Sequence, residues 1–108
     1  MNIANIFASD DWFQVLQPSP HSQTAVMTLD PGKASGPLPE SHENSQQILL
    51  VVEGTVSGEI AGQQVTLHGG DVVVIPPGVK HRFTNPGTNP AVTFNVYTPP
   101  EYAPGQKG

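Results

Sequence analysis

The sequence predicts an all-β fold, a sandwich or barrel of short strands. Three observations predict it. The 108 residues include 11 glycines and 12 prolines, and most of these fall between short apolar runs. Several of the runs are rich in β-branched residues, which suit a pleated surface. No stretch keeps apolar residues at spacings of three and four, so no long helix is expected. The length suits one domain over residues 1–108. Its core is expected over residues 12–98, between an N-terminal lead-in and an extended C-terminal tail that is loose at its end.

Each element follows in order. Residues 1–10 form the lead-in. WFQVLQ (Trp12–Gln17) is the first strand, closed by Pro18, Ser19 and Pro20. TAVMTL (Thr24–Leu29) is the second, closed by Asp30, Pro31 and Gly32. The next segment, GKASGPLPESHENSQQ, is polar and turn-rich, but Pro37 and Pro39 hold their neighbours extended. QILLVVEG (Gln47–Gly54) is a strong strand. TVSGEIAG and QQVTLHGG follow it, with hairpin-type breaks at Glu53-Gly54 and Ala61-Gly62. Asp71–Ile75, Lys80–Thr84 and AVTFNVYT (Ala91–Thr98) complete a set of about eight strands, the spacing of an all-β domain.

Charge and composition exclude several roles. The net charge is −5, and the only basic side chains besides histidine are Lys33, Lys80, Arg82 and Lys107. A nucleic-acid partner needs a basic patch, so none is expected. An anionic membrane surface is disfavoured on the same ground. The absence of cysteine removes disulfide and thiol chemistry. The first residues, MNIANIFASDDW, lack a basic and then apolar leader pattern, and the run ILLVV is too short to span a bilayer. The expectation is a soluble cytoplasmic protein.

The segment Gly70–Asn85, GDVVVIPPGVKHRFTN, is the most informative in the chain. Val72–Ile75 read as a strand buried on both faces. Pro76, Pro77 and Gly78 end it in a tight turn, and His81 then opens a new strand. Upstream, Glu40, His42 and Asn44 alternate, so extended backbone turns all three to one side. Imidazole, carboxylate and amide oxygen together suit a divalent transition metal.

The same residues carry a resemblance. Gly70, Pro76, Gly78, His81 and Asn85 fill every fixed position of the second motif of the cupin superfamily. Gly54 closes the first motif in register, with Gln47 where that motif has an acid. The chain therefore resembles a small single-domain cupin, which implies a double-stranded β-helix or jelly-roll barrel. The family's paired histidines align in two registers. The preferred one puts Glu40 and His42 at the pair, and the other puts His42 and Asn44 there. The resemblance thus implies a metal site at Glu40, His42, Gln47 and His81 for Fe, Mn, Ni or Zn. By alternation Phe83 shares the face of His81, and Leu49 and Val51 that of Gln47; with Met27 and Phe94 they are expected to line an apolar pocket for a small-molecule ligand. A metal-dependent oxygenase or isomerase is one functional expectation, and a non-catalytic binding or structural barrel with a degenerate metal site is the other. A homodimer is expected, with Trp12–Leu16 and Thr24–Leu29 at its interface.

The remaining candidates have plainer readings. His68 and His21 are surface groups. Trp12 and Phe13 are packing or interface residues. Asp71 shapes its turn through its side chain. Arg82 and Lys80 lie on the face opposite His81.

Overall fold

Two antiparallel sheets face each other, and the apolar alternation of their strands decides which side of each is buried. The computed structural model describes residues 1–108. Its eight strands are β1 (Phe13–Pro18), β2 (Gln23–Leu29), β3 (Gln46–Glu53), β4 (Thr55–Ile60), β5 (Gln63–His68), β6 (Val72–Ile75), β7 (His81–Thr84) and β8 (Ala91–Thr98). The order β1-β2-β8-β3-β6 makes a five-stranded sheet, and β5-β4-β7 makes a three-stranded one. The only helix is a 3-10 turn at Ile6–Ala8, so no helix is long and apolar enough to cross a membrane.

The inward residues of both sheets share one core, which includes Val15, Ala25, Met27, Leu29, Leu49, Val51, Val56, Leu67, Ile75 and Phe83. The turns between strands need glycine in specific places. Gly54 has φ +83, and a Cβ there would meet Ala91 Cα and Pro90 O at 3.0 Å. Gly78 has φ +78 in the turn before β7. The Asp71 carboxylate accepts from the His68 N–H at 2.7 Å, the turn-shaping role expected of it.

Two expectations change. β6 is the edge of its sheet rather than a strand buried on both faces, because only β3 pairs with it. Val72 and Val74 are accordingly 58% and 52% exposed. The C-terminal tail is not loose, because it returns across the end of the barrel and pairs with β1. The Val15 N–H donates to Gln106 O at 2.8 Å, and the Gly108 N–H donates to Phe13 O at 2.9 Å. Gln23, 1% exposed, clamps the tail with its side chain. Its Nε2 donates to Tyr102 O at 2.7 Å, and its Oε1 accepts from the backbone N–H groups of Tyr102 and Glu101 at 2.9 and 3.2 Å.

Candidate functional site

The turn at residues 76–78 and the extended segment before β3 together build one end of a cavity. Glu40 and His81 exchange backbone hydrogen bonds of 3.0 and 2.8 Å, an isolated antiparallel bridge that holds the polar segment beside β7. The Gly78 N–H donates to His42 O at 2.9 Å. One turn therefore positions both histidines, and their ring centroids are 5.1 Å apart.

The cavity is about 190 Å³ in volume. Glu40, His42, Gln47 and His81 are among the polar residues that line it. Its walls are Trp12, Phe13, Met27, Phe83, Tyr97 and Tyr102, with Leu38, Gln106 and Gly108 among the rest. Several of the aromatic rings meet edge to face. Tyr97 and Tyr102 lie 5.2 Å apart at 84°, and His42 meets Tyr97 at 5.2 Å and 82°.

Local contacts set the state of each polar group. His81 is 8% exposed, and its Nδ1 lies 3.0 Å from Val79 O. A backbone carbonyl only accepts, so Nδ1 carries the proton and Nε2 is the free acceptor. Burial lowers the His81 pKa from its ordinary value, and His42 acts in the same direction, against the Val79 bond and Glu40. His42 Nδ1 faces the Glu101 carboxylate at 3.5 Å. Gln47 donates through Nε2 to Asn95 Oδ1 at 2.9 Å, and its Oε1 is buried with no partner. Burial, with Tyr102 beside it, pushes the Tyr97 phenol well above its usual range, so it stays protonated.

The structure thus brings Glu40, His42, Gln47 and His81 to one cavity, with Met27 and Phe83 among its walls. Asn44 is exposed and lies outside it. Leu49 and Val51 face inward but do not line this cavity. Both are 0% exposed and close-packed in the core. Phe94 also falls outside, because the inward parity of β8 is Ala91, Thr93, Asn95 and Tyr97. The partly buried Phe94 lies on the outer face of the sheet. Trp12 and Phe13, read from sequence as packing residues, form part of the wall. Tyr97 and Tyr102 line the cavity without being signalled in the sequence. Tyr97 lies on the parity of β8 opposite to Phe94, so the apolar alternation points away from it, and Tyr102 lies in a tail with no strand signal.

Tested against a resident divalent metal, the donor set falls short. It offers two imidazoles and a neutral amide oxygen, and no group of three His, Cys, Asp or Glu side chains converges where it could hold an ion. Glu40 is exposed at the mouth, with Oε1 3.6 Å from the position a Gly36 Cβ would occupy. These residues do not fit a tightly held transition metal.

Comparison with known proteins agrees with this architecture. An auxin-binding protein of Prunus persica is 36% identical over 82 residues, which cover 70% of this chain and 38% of that protein. The chain thus spans little more than a third of that relative's length. A Bacillus halodurans protein of known structure superposes with a TM-score of 0.87 at 23% identity, covering 94% of this chain and 80% of that one, a likeness of fold alone. A cupin 2 conserved barrel domain protein from Salinispora arenicola superposes with a TM-score of 0.68 at 26% identity, covering 79% of this chain and 72% of the other. The family model for the cupin domain matches residues 25–97, from β2 to the end of β8. With its jelly-roll barrel and the complete Gly70–Asn85 motif, the chain belongs to the cupin family.

Proposed function

We propose that the cavity binds a small organic molecule of about one ring. The ring lies against the aromatic wall, and a polar group meets His42, Gln47 and His81. The observation that carries this reading is the make-up of the cavity: about 190 Å³, lined by Trp12, Phe13, Phe83, Tyr97 and Tyr102 together with the polar His42, Gln47 and His81. An engineered apolar cavity of about 150 Å³ holds benzene, so the volume suits one ring. Aromatic walls with a few convergent polar groups are the usual form of a small-molecule site. The Prunus persica relative is by name a binding protein, which supports a holding role.

A second reading places a divalent ion (Fe, Mn, Ni or Zn) on His42, Gln47 and His81, as an oxygenase or isomerase of this family would use it. The unpartnered Gln47 Oε1 favours this reading, because a cation would satisfy it. Such a set binds weakly, since its third donor is uncharged.

Elemental analysis and a ligand screen by thermal shift separate the two readings. The first expects no stoichiometric metal, and stabilisation by single-ring compounds that His81→Ala and Tyr97→Ala both weaken. Stoichiometric metal that His42→Ala and His81→Ala each remove would replace the first reading with the second.

The macromolecular partner we propose is a second copy of the chain. The outward faces of β3 and β8 are apolar, and their row Ile48, Leu50, Phe94 and Val96 continues onto the exposed Val72 and Val74 of β6. Of the two strands expected at the interface, Trp12–Leu16 has its free edge taken by residues 106–108, and Thr24–Leu29 is paired on both sides, with β1 and β8. The interface we propose is the outer face of the larger sheet, towards β6.

A further inference from the structure

We infer that Thr93 and Asn95 fix the hydrogen-bonding polarity of Gln47, so that the cavity selects ligands presenting an O–H or N–H donor to Gln47 Oε1. The inference rests on the reading of the cavity as a small-molecule site.

Its starting point is a group whose polarity cannot change. The Met27 backbone carbonyl only accepts, and Thr93 Oγ1 lies 2.9 Å from it, which commits the Thr93 hydroxyl proton. Oγ1 then has only lone pairs to offer, so the Asn95 atom 3.0 Å away is the donor Nδ2. That orientation turns Asn95 Oδ1 towards Gln47, where it accepts from Nε2 at 2.9 Å. The Gln47 oxygen is left over. It is the one buried side-chain nitrogen or oxygen in the structure with no partner, on a residue that is 4% exposed and lines the cavity.

The relay resists inversion. Flipping Gln47 alone would set its oxygen against Asn95 Oδ1, two acceptors facing each other. Flipping both amides would move the same clash to Thr93 Oγ1. Thr93 and Asn95 are 0% and 1% exposed, so water is not at hand to relieve either clash. The orientation of Gln47 therefore descends from a backbone carbonyl through three hydrogen bonds. Thr93 and Asn95 act as positioning residues, and Gln47 makes the contact.

A ligand hydroxyl or N–H pairs the stranded oxygen, whereas an ether or a ring without a donor leaves it unpaired. Discrimination of about tenfold or more follows from the cost of an unsatisfied buried acceptor. The test compares phenol with anisole, which differ in the donor, by NMR titration of the metal-stripped full chain. Phenol is expected to bind about tenfold more tightly. Thr93→Val frees Asn95 and Gln47 to flip, and the preference should shrink to about threefold or less, while Thr93→Ser restores it. If Thr93→Val does not fold, slow exchange of the Gln47 and Asn95 side-chain amide protons in the unaltered protein reports the relay directly.

Equal affinity for phenol and anisole overturns the inference and leaves the cavity reading standing. Binding of neither compound at about 10 mM overturns both. A phenol preference that emerges only after Zn²⁺ is added also overturns the inference, because the oxygen would then serve an ion.

Discussion

At the scale of single residues, His81 shows how burial and function share one side chain. Its imidazole is neutral because burial opposes the charged form, and the Val79 carbonyl fixes which nitrogen keeps the proton. The stability consequence has a definite sign. The folded pKa lies below the ordinary value of 6.5, so the unfolded chain takes up the proton first as pH falls. The contribution of His81 is complete above pH 6.5 and is lost as pH falls towards the depressed folded value. Urea denaturation should therefore give a lower midpoint at acidic pH than at neutral pH, with a smaller drop in His81→Gln. An equal drop in the variant would remove His81 as the cause. Phe83 makes a plainer case. It is 1% exposed, spans core and cavity wall, and as Phe83→Ala should lose about 3–5 kcal/mol by denaturant unfolding.

At the scale of elements, the connections carry more of the site than the strands do. Gly54 and Gly62 both have positive φ, at +83 and +78. Only Gly54 would press a Cβ onto neighbouring backbone, since nothing lies within 4 Å of one at Gly62. Gly54→Ala should thus cost clearly more than Gly62→Ala, which pays about 1 kcal/mol for the left-handed backbone alone. Equal losses in thermal unfolding would show that the contact with Pro90 and Ala91 relaxes. The Gln23 clamp predicts a different signature. Gln23→Ala leaves the backbone groups of Glu101 and Tyr102 without their buried partner, a loss of about 1–3 kcal/mol. Hydrogen exchange at the Val15 amide, which bonds to Gln106, should quicken while the β2–β8 ladder stays protected.

At the scale of the whole molecule, most of the fold was legible in the sequence and about half of the site. Turn residues punctuate the strands, so all eight were found. The Gly70–Asn85 segment carried its own geometry: Pro76 to Gly78 make the turn, and Asn85 holds the following loop by donating to Leu29 O and Asn89 O. Phe94 was misplaced for a physical reason. In β8 the more apolar parity, Val92, Phe94 and Val96, faces outward, while the inward parity carries Thr93 and Asn95 for the relay. Alternation marks a core face only where the other face is wet. The pairing of the tail is not legible in the sequence because it depends on backbone groups and the distant Gln23, not on any pattern of its own. The outward apolar row predicts self-association: sedimentation should show a dimer at micromolar concentration, and Val74→Lys should shift it to monomer. A monomeric mass for the unaltered chain would leave that face without its proposed partner.

Trp12 gives the cavity a built-in optical reporter. It is the only tryptophan in the chain, its indole lines the cavity, and it remains 44% exposed at the mouth. Its emission samples the space a ligand would enter, free of any second indole signal. A molecule seated against the aromatic wall should quench or shift that emission in a saturable way, so occupancy can be followed in unlabelled protein without knowing beforehand what the barrel holds.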